Sequence, residues 1–166
     1  MRLDLSDIIE IPGGVVPFEC ELDQEALLSP SVARFVSAPR AVGEVRNGAG
    51  ALTLRAVLTA PMICACDRCG AEFDLSKTLE VEAYLADKLE DEENADIFLL
   101  DGDYVNLSEV LETCFILDME AKFLCADDCA GLCEDCGANL NNGPCGCKKE
   151  IDPRLAALGQ LLDTEE

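Results

Sequence analysis

The chain contains no histidine, and it also lacks the short motifs that mark common active sites. Histidine is the side chain that most often serves as a general base near neutral pH. The sequence has no Gly-x-Ser-x-Gly, no Gly-x-Gly-x-x-Gly and no phosphate-cradling glycine loop. Its carboxylates are plentiful, but no spacing singles out an acid/base pair. These absences favour a binding or assembly protein over an enzyme.

Positive charge is scarce, because only 12 lysines and arginines face 34 aspartates and glutamates, giving a formal net charge of −22 at pH 7. Contacts to nucleic-acid phosphates depend on lysine and arginine, so this balance disfavours RNA or DNA as an extended direct ligand. The same charge fits either a basic partner protein or an acidic, well-solvated surface.

Long apolar runs are missing as well. No stretch approaches the ~18–20 consecutive apolar residues of a membrane-spanning helix. The opening residues, MRLDLSDIIE, are interrupted by acidic side chains and do not resemble a secretory signal. We therefore expect no membrane contact and a reducing cytoplasmic location, where paired cysteines bind metal rather than form disulfides.

The chain is rich in cysteine: it contains eleven cysteines, and eight of them lie in four short pairs. Four thiolates make a closed tetrahedral Zn²⁺ site, which holds a fold together and leaves no coordination position for a reaction. The sequence therefore predicts two structural Zn²⁺ ions. The pairs are, in chain order, Cys66 and Cys69, Cys125 and Cys129, Cys133 and Cys136, and Cys145 and Cys147.

Which pairs share an ion is left open by the spacing. In the first arrangement, the first and second pairs form site 1, and the third and fourth pairs form site 2. Loop closure favours this arrangement, because only eight residues separate the two pairs of site 2. In the alternative, the first and third pairs share an ion, as in many zinc ribbons.

The first and third pairs share one design, in which two cysteines three residues apart are followed by Gly70 or Gly137. Such a turn aims both sulfurs at one point, and its backbone N–H groups can donate to the thiolates. Glycine permits the positive φ that this turn requires. Iron–sulfur ligation, a redox pair and disulfides remain as rival chemistries. The other cysteines, Cys20, Cys64 and Cys114, are interpreted as core or spare thiols, with Cys64 able to replace a ligand.

Alternating apolar residues predict an antiparallel sheet. Strands are expected over 15–22, 41–46, 51–59 and 78–85, joined as two hairpins with Cys66 and Cys69 at the tip of the second. A short helix is predicted over 23–28, ahead of Pro30.

A longer helix should start at Asn106, with Glu109 completing a capping box. Its buried face is predicted to comprise Leu107, Val110, Leu111, Cys114, Phe115 and Leu117. The acidic run 87–96 is predicted to be a solvated loop, and a last helix should begin at Asp152.

The fold class is therefore predicted to be α+β, with an antiparallel β-sheet core, a few helices and a C-terminal cysteine-rich zinc-binding module. The predicted units are a core domain over 1–124, a zinc module over 125–150, and a helix and tail over 151–166. Because the last forty residues are poor in large apolar side chains, the zinc module should depend on its metal for folding.

Three stretches together are typical of one known family. They are Cys66-Asp67-Arg68-Cys69, the block from Cys129 to Asn141 that contains Gly-Leu-Cys-x-x-Cys-Gly-x-Asn-Leu-Asn, and Cys145-Gly146-Cys147 followed by Asp152-Pro153-Arg154. On these residues the chain resembles the YceD family, the large ribosomal RNA subunit accumulation proteins of bacteria and plastids. The resemblance covers most of residues 40–162.

The resemblance implies a non-enzymatic role in the synthesis, processing or stability of 23S ribosomal RNA. It implies no catalytic residue. Family members that lack the second cysteine set keep metal-type ligands at the positions of the first two pairs, which supports the first arrangement.

The acidity points to a ribosomal or pre-ribosomal protein, or an rRNA-processing factor, as the partner. The few clustered positive charges, Lys148, Lys149 and Arg154, fit either contact with a phosphate or a solvated turn. Two other classes stay open, which are a zinc-ribbon adaptor of RNA polymerase and a thiol redox sensor.

Overall fold

The computed structural model describes residues 1–48, 50–88 and 97–147. Most of the predicted acidic loop, the predicted helix from Asp152 and the basic cluster of Lys148, Lys149 and Arg154 lie outside these residues. Within them, no helix is long and apolar enough to cross a membrane. The elements are β1 (Arg2–Asp4), α1 (Ser6–Ile9), β2 (Val15–Glu21), β3 (Val32–Phe35), β4 (Arg40–Gly48), β5 (Ala51–Ala65), β6 (Glu72–Ala86), β7 (Ile97–Leu99), β8 (Tyr104–Asn106), α2 (Leu107–Leu117) and a 3₁₀ turn (Leu140–Asn142).

A six-stranded sheet forms the body of the protein, with the strand order β2-β4-β5-β6-β7 and with β3 beside the far end of β5. The two predicted hairpins are confirmed, since β4 pairs antiparallel with β5 and β5 pairs antiparallel with β6. The period-two pattern also held, because Leu52, Leu54 and Leu58 are buried on one face of β5. The long β5–β6 ladder carries the Cys66–Cys69 turn at its tip.

The sheet is mixed rather than purely antiparallel, which corrects the predicted sheet type. β7 runs parallel to β6, with Ile97 opposite Tyr84 and Leu99 opposite Ala86. β3 pairs with β5 where β4 has ended, and its register shifts between Val32 and Arg34. Both strands are short, so their own sequence periodicity carries little signal.

Helix α2 covers the inner face of the sheet together with a small two-stranded sheet of β1 and β8. The helix follows Asn106 as predicted, but the Asn106 side chain makes no bond to the helix backbone and instead donates to the Glu109 carboxylate at 3.4 Å. Leu117 is 71% exposed and was wrongly placed on the buried face. Cys114 is half-buried and packs against the core. The core of the protein therefore lies between α2 and the sheet.

The predicted helix over 23–28 is wrong, because this stretch forms turns only. The Asp23 carboxylate accepts a hydrogen bond from the Glu25 N–H at 3.0 Å, and the Leu27 N–H donates to the Gln24 carbonyl at 3.3 Å. So few residues before a proline do not offset the cost of helix nucleation unless a tertiary contact stabilises the turn.

The four-residue helix α1 was not predicted, and a distant side chain holds it. Buried Asn47, at the end of β4, donates to the carbonyls of Ile8 and Ile9 at 2.8 and 2.7 Å. Its amide oxygen accepts from the Gly50 N–H at 2.8 Å. Asn47 therefore joins the N-terminal segment to the first hairpin turn.

Candidate metal centres

Site 1 begins at the tip of the β5–β6 hairpin. Cys66 and Cys69 lie in a tight turn in which the Cys66 N–H donates to the Ala71 carbonyl and the Gly70 N–H donates to the Cys66 carbonyl. Gly70 has φ +67°, the left-handed conformation predicted for it. The turn places both thiols on the side of the segment that follows α2.

That segment supplies Cys125 and Cys129, and the four sulfurs of site 1 lie within 4.8 Å of one another. The Sγ atoms of Cys66 and Cys129 are 3.7 Å apart, and so are those of Cys69 and Cys125. Cys66, Cys69 and Cys129 are buried, and together they form a small cluster separate from the main core. Site 1 therefore closes a contact between parts of the chain that are more than fifty residues apart.

The two residues between the cysteines of the first pair hold this contact in place. The Asp67 N–H donates to the Phe123 carbonyl, and the Asp67 carboxylate accepts from the Phe123 N–H at 2.6 Å. The Arg68 guanidinium donates to the Cys129 carbonyl at 3.0 Å, and the Ser31 hydroxyl donates to Asp67 at 3.0 Å. These roles do not follow from the sequence, because the partners of both residues are remote in the chain.

Site 2 is local, since all four of its sulfurs come from residues 133–147 and lie within 4.8 Å of one another. Its turn repeats that of site 1, with the Cys133 N–H donating to the Ala138 carbonyl and Gly137 at φ +71°. The sulfurs of Cys133 and Cys145 are 3.3 Å apart. Cys136 and Cys147 are exposed, so solvent reaches this group of thiols.

Asn141 links the two sites. It lies in the 3₁₀ turn within the site 2 segment, yet its side-chain N–H donates to the sulfur of Cys129 in site 1 at 3.3 Å. Its amide oxygen accepts from the Ala130 N–H at 2.7 Å, and the Leu140 N–H donates to the Gly131 carbonyl at 2.9 Å. The Asn-Leu-Asn stretch thus holds the backbone directly after Cys129 and contacts the sulfur of this cysteine.

Thiol acidity differs within each site. Burial opposes ionisation of Cys66, but backbone N–H groups of Cys125, Arg68 and Cys69 outweigh it and lower the pKa of Cys66 to about 6. In site 2, the backbone N–H groups of Cys136 and Asp135 lower the pKa of Cys133 to about 7.

One further thiol in each site has a strongly raised pKa because of the sulfurs next to it. Hydrogen bonds to the neighbouring sulfurs of Cys129 and Cys69 raise the pKa of Cys125 to about 12. Contact with Cys136 raises the pKa of Cys147 to about 12. Each site therefore favours some thiolates at neutral pH and needs a cation before all four can ionise.

The donor sets fit a single tetrahedral ion. Four sulfurs at the usual zinc–sulfur distance form a tetrahedron with edges of about 3.8 Å. The separations of 3.7 Å in site 1 are close to this edge. The 3.3 Å between the sulfurs of Cys133 and Cys145 in site 2 is shorter, and all four sulfurs of each site lie within 4.8 Å of one another. An iron–sulfur cluster interposes several iron and sulfide atoms, so it would need the four sulfurs farther apart. Both groups of cysteines can therefore hold metal ions, and they are grouped as in the first predicted arrangement rather than as in a zinc ribbon.

The three other cysteines lie outside both groups. Cys20 and Cys64 are buried in the main core, where burial raises the pKa of each thiol. Cys64 packs among core residues although it is only two positions before Cys66. These environments fit core thiols, and they leave site 1 with the four cysteines predicted for it.

Comparison with known proteins places the chain in a family. Residues 53–162 match the family model described as "Large ribosomal RNA subunit accumulation protein YceD". The chain is also 30% identical over 110 residues to the "Uncharacterized protein ML1660" of Mycobacterium leprae (strain TN), covering 63% of this chain and 50% of that relative. The chain thus spans about half the length of this curated relative. No solved structure matches the chain. Because the family match extends over more than half of the chain, from β5 through both cysteine groups, the protein belongs to the YceD family.

Proposed function

We propose that this protein is a zinc-binding, non-enzymatic factor that supports the accumulation of large-subunit ribosomal RNA and acts in the cytoplasm through protein contacts. The observation that carries the proposal is the family match, which runs through the hairpin, α2 and both cysteine groups. The family description concerns accumulation of an RNA and names no reaction.

Zinc is the ion that suits both donor sets. Four thiolates around one small divalent cation make the closed tetrahedral coordination that structural zinc adopts. Such an ion can supply ~10–16 kcal/mol of apparent binding free energy, comparable with the whole stability of a small domain. Filled sites of this kind have no open position for substrate, which supports a structural rather than a catalytic ion.

Protein contacts are favoured over direct RNA contacts by the charges. Beyond the net charge of −22, many cations within the described ranges are already engaged by an acidic side chain or a carbonyl. Phosphate binding would have to compete with those partners. The engaged cations are Arg2, Arg34, Arg40, Arg46, Arg55, Arg68 and Lys77.

The test of this function is depletion of the protein in its own host, followed by quantification of 23S and 16S ribosomal RNA. We expect a selective fall in 23S RNA, restored by the wild-type gene and by Cys114→Ser but not by the double variant Cys66→Ser/Cys69→Ser. Native mass spectrometry of the purified protein should show two zinc ions per chain. An unchanged 23S level after depletion would overturn the proposed role, whatever the metal content.

A further inference from the structure

Strand β6 has a long open edge. It comprises 15 residues, of which only the last three, Tyr84 to Ala86, pair with β7. Among the residues that the structure describes, no strand lies beside the twelve residues from Glu72 to Ala83 on the side away from β5. Within the described ranges, no backbone group outside β5 hydrogen-bonds to this stretch. Every second residue of such an edge turns its N–H and C=O outward, which is a template for another strand.

The opposite edge of the sheet is protected in a way that this one is not. β2 has Pro17 near its middle, and a proline has no N–H to offer a partner strand. The open stretch of β6 contains no proline and no glycine, and its ladder with β5 runs without a register shift. The edge of β6 is therefore regular enough to accept a long partner.

One residue of this edge has to be explained, because an inward-pointing lysine often discourages strand pairing. Lys77 is buried on the inner face of β6, where its ammonium contacts the Asp118 and Glu120 carboxylates at 2.7 and 3.0 Å. It also donates to the Asp118 carbonyl. Lys77 is thus satisfied within the chain, and an added strand would leave no charge unpaired.

The outward face of β6 defines the chemistry of the partner. Its side chains include Glu72, Asp74, Glu80 and Glu82, all exposed. Glu72 and Glu82 pair with arginines, whereas the other two have no ion-pair partner among the described residues. On the inner face, Leu75 and Leu79 are half-buried and apolar.

A depression next to the edge adds room for long side chains. It has a volume of about 550 Å³ and is lined by Val42, Arg55, Val57, Glu80 and Glu82. Val57 lies directly opposite Glu80, so apolar surface adjoins an unpaired carboxylate. Lysine and arginine suit such a place, because their stems pack on apolar surface while their charged ends reach a carboxylate.

We propose that the Glu72–Ala83 edge of β6 is a strand-addition site for an extended basic segment of a partner protein, with lysine or arginine alternating with apolar residues. The backbone ladder would supply affinity, and the alternate carboxylates would select the basic face. A second copy of this chain fits less well, because edge-to-edge pairing would set carboxylates opposite carboxylates. The inference rests on the proposed function, since it names the surface through which that function would use a basic partner.

The probe that tests this site is a capped ten-residue peptide of alternating lysine and valine. In amide hydrogen exchange followed by NMR, alternate amides between residues 72 and 83 should exchange about tenfold more slowly when the peptide binds. The variant D74K/E80K should weaken binding about tenfold by calorimetry. A matched charge reversal at Asp7 in α1 and at Glu10 directly after it, D7K/E10K, should weaken binding less than twofold.

Three outcomes would overturn the strand-addition site. One is equal binding of a peptide of the same sequence with every amide N-methylated, since that peptide keeps the charges but cannot form the ladder. The second is amide protection by the peptide outside β6 instead of within it. The third is dimerisation through β6, seen by mass measurement.

The two proposals can fail separately. If depletion lowers 23S RNA and D74K/E80K restores it fully, the strand-addition site is wrong and the proposed function stands. If depletion leaves 23S RNA unchanged while the peptide still protects β6, the proposed function is wrong and the binding site stands.

Discussion

The two sites each bring together four cysteines and contain nearly the same turn, but they differ in the parts of the chain that they join. Site 1 takes one pair from the β5–β6 hairpin and the other from the segment after α2, and three of its four thiols are buried. Site 2 takes all of its thiols from fifteen consecutive residues, 133–147, and two of them are exposed. An ion in site 1 would thus connect distant parts of the fold, whereas one in site 2 would shape a local loop.

The sharpest test of this difference is to remove one ligand from each site. Cys69→Ser should lower the melting temperature of the zinc-loaded protein by about 10 °C or more, because a staple between the hairpin and the later segment is lost. Cys136→Ser should leave the main transition within about 3 °C and make only residues 133–147 sensitive to protease. Equal shifts in calorimetry would contradict the comparison, and Cys114→Ser serves as the cysteine control outside both sites.

Lowering the pH should release zinc from the two sites in a defined order. Metal binding needs thiolates, so a thiol with a lowered pKa in the folded protein favours binding above that pKa and loses this advantage as pH falls through it. The most acidic thiol of site 2, Cys133, has a pKa of about 7, and that of site 1, Cys66, has a pKa of about 6. Cys136 and Cys147 of site 2 are also exposed to solvent, whereas three thiols of site 1 are buried. We therefore expect site 2 to release zinc first during a titration from about pH 8 to about pH 5, followed by elemental analysis of the filtered protein. Release from site 1 first, identified with the Cys136→Ser variant, would reverse this order.

The hydrogen bond from Asn141 is the point at which the sites are coupled. Asn141→Ala should weaken zinc binding at site 1 about tenfold, although the residue lies in the site 2 segment. The neighbouring Asn142→Ala is the matched control, because the hydrogen bonds seen among the described residues to Ala130 and to the Cys129 sulfur come from Asn141 and not from Asn142. Competition with a chromogenic chelator measures the change, and an effect confined to site 2 would show that the sites act independently.

Lys77 contacts Asp118 and Glu120, which lie in the segment between α2 and the second cysteine pair of site 1. Its substitution therefore tests how much these contacts stabilise the segment that leads into site 1. Lys77→Met should cost about 1 kcal/mol of unfolding free energy, because the Asp118 carbonyl loses its donor and the two carboxylates, both half-exposed, lose their partner. Exposed Lys122→Met is the control in the same denaturation experiment. Burial opposes the charge of Lys77, but Asp118 and Glu120 outweigh it and raise the pKa above 10.5. The contribution is therefore complete below pH 10.5 and disappears as pH rises through the higher folded value; a constant difference between wild type and variant up to pH 12 would argue against it.

The sequence predicts the parts of this fold that depend on local pattern. Alternation in β5 and β6 follows directly from one buried face, as Leu54 and Val81 illustrate, and the helix start at Asn106 follows from the residues around it. Short β3 and β7 were missed because their pairing is decided by the strand beside them. The Lys77 network was missed for a similar reason, since a lysine in an alternating strand looks like a solvated side chain until its partners are known.

For the sites too, the features that depend on local sequence are predictable, and those that depend on distant segments are not. The spacing of the cysteines predicts eight metal ligands, and it favours the grouping in which the structure brings these cysteines together. The contacts of Asp67 with Phe123 and of Asn141 with Cys129 depend on where distant segments meet, which spacing does not encode. The predicted division into three domains, and metal ligation itself, stay predictions.

The pairing of β4 with β5 has a consequence for anyone who expresses part of this protein. The family match starts at residue 53, inside β5, yet β5 needs β4 beside it from Ala51 to Thr59, and β4 in turn carries β2. A recombinant fragment trimmed to the match would expose the edge of β5 and the core residues that pack against the missing segment, and such a product would aggregate. The shortest usable gene therefore has to begin upstream of the recognisable sequence.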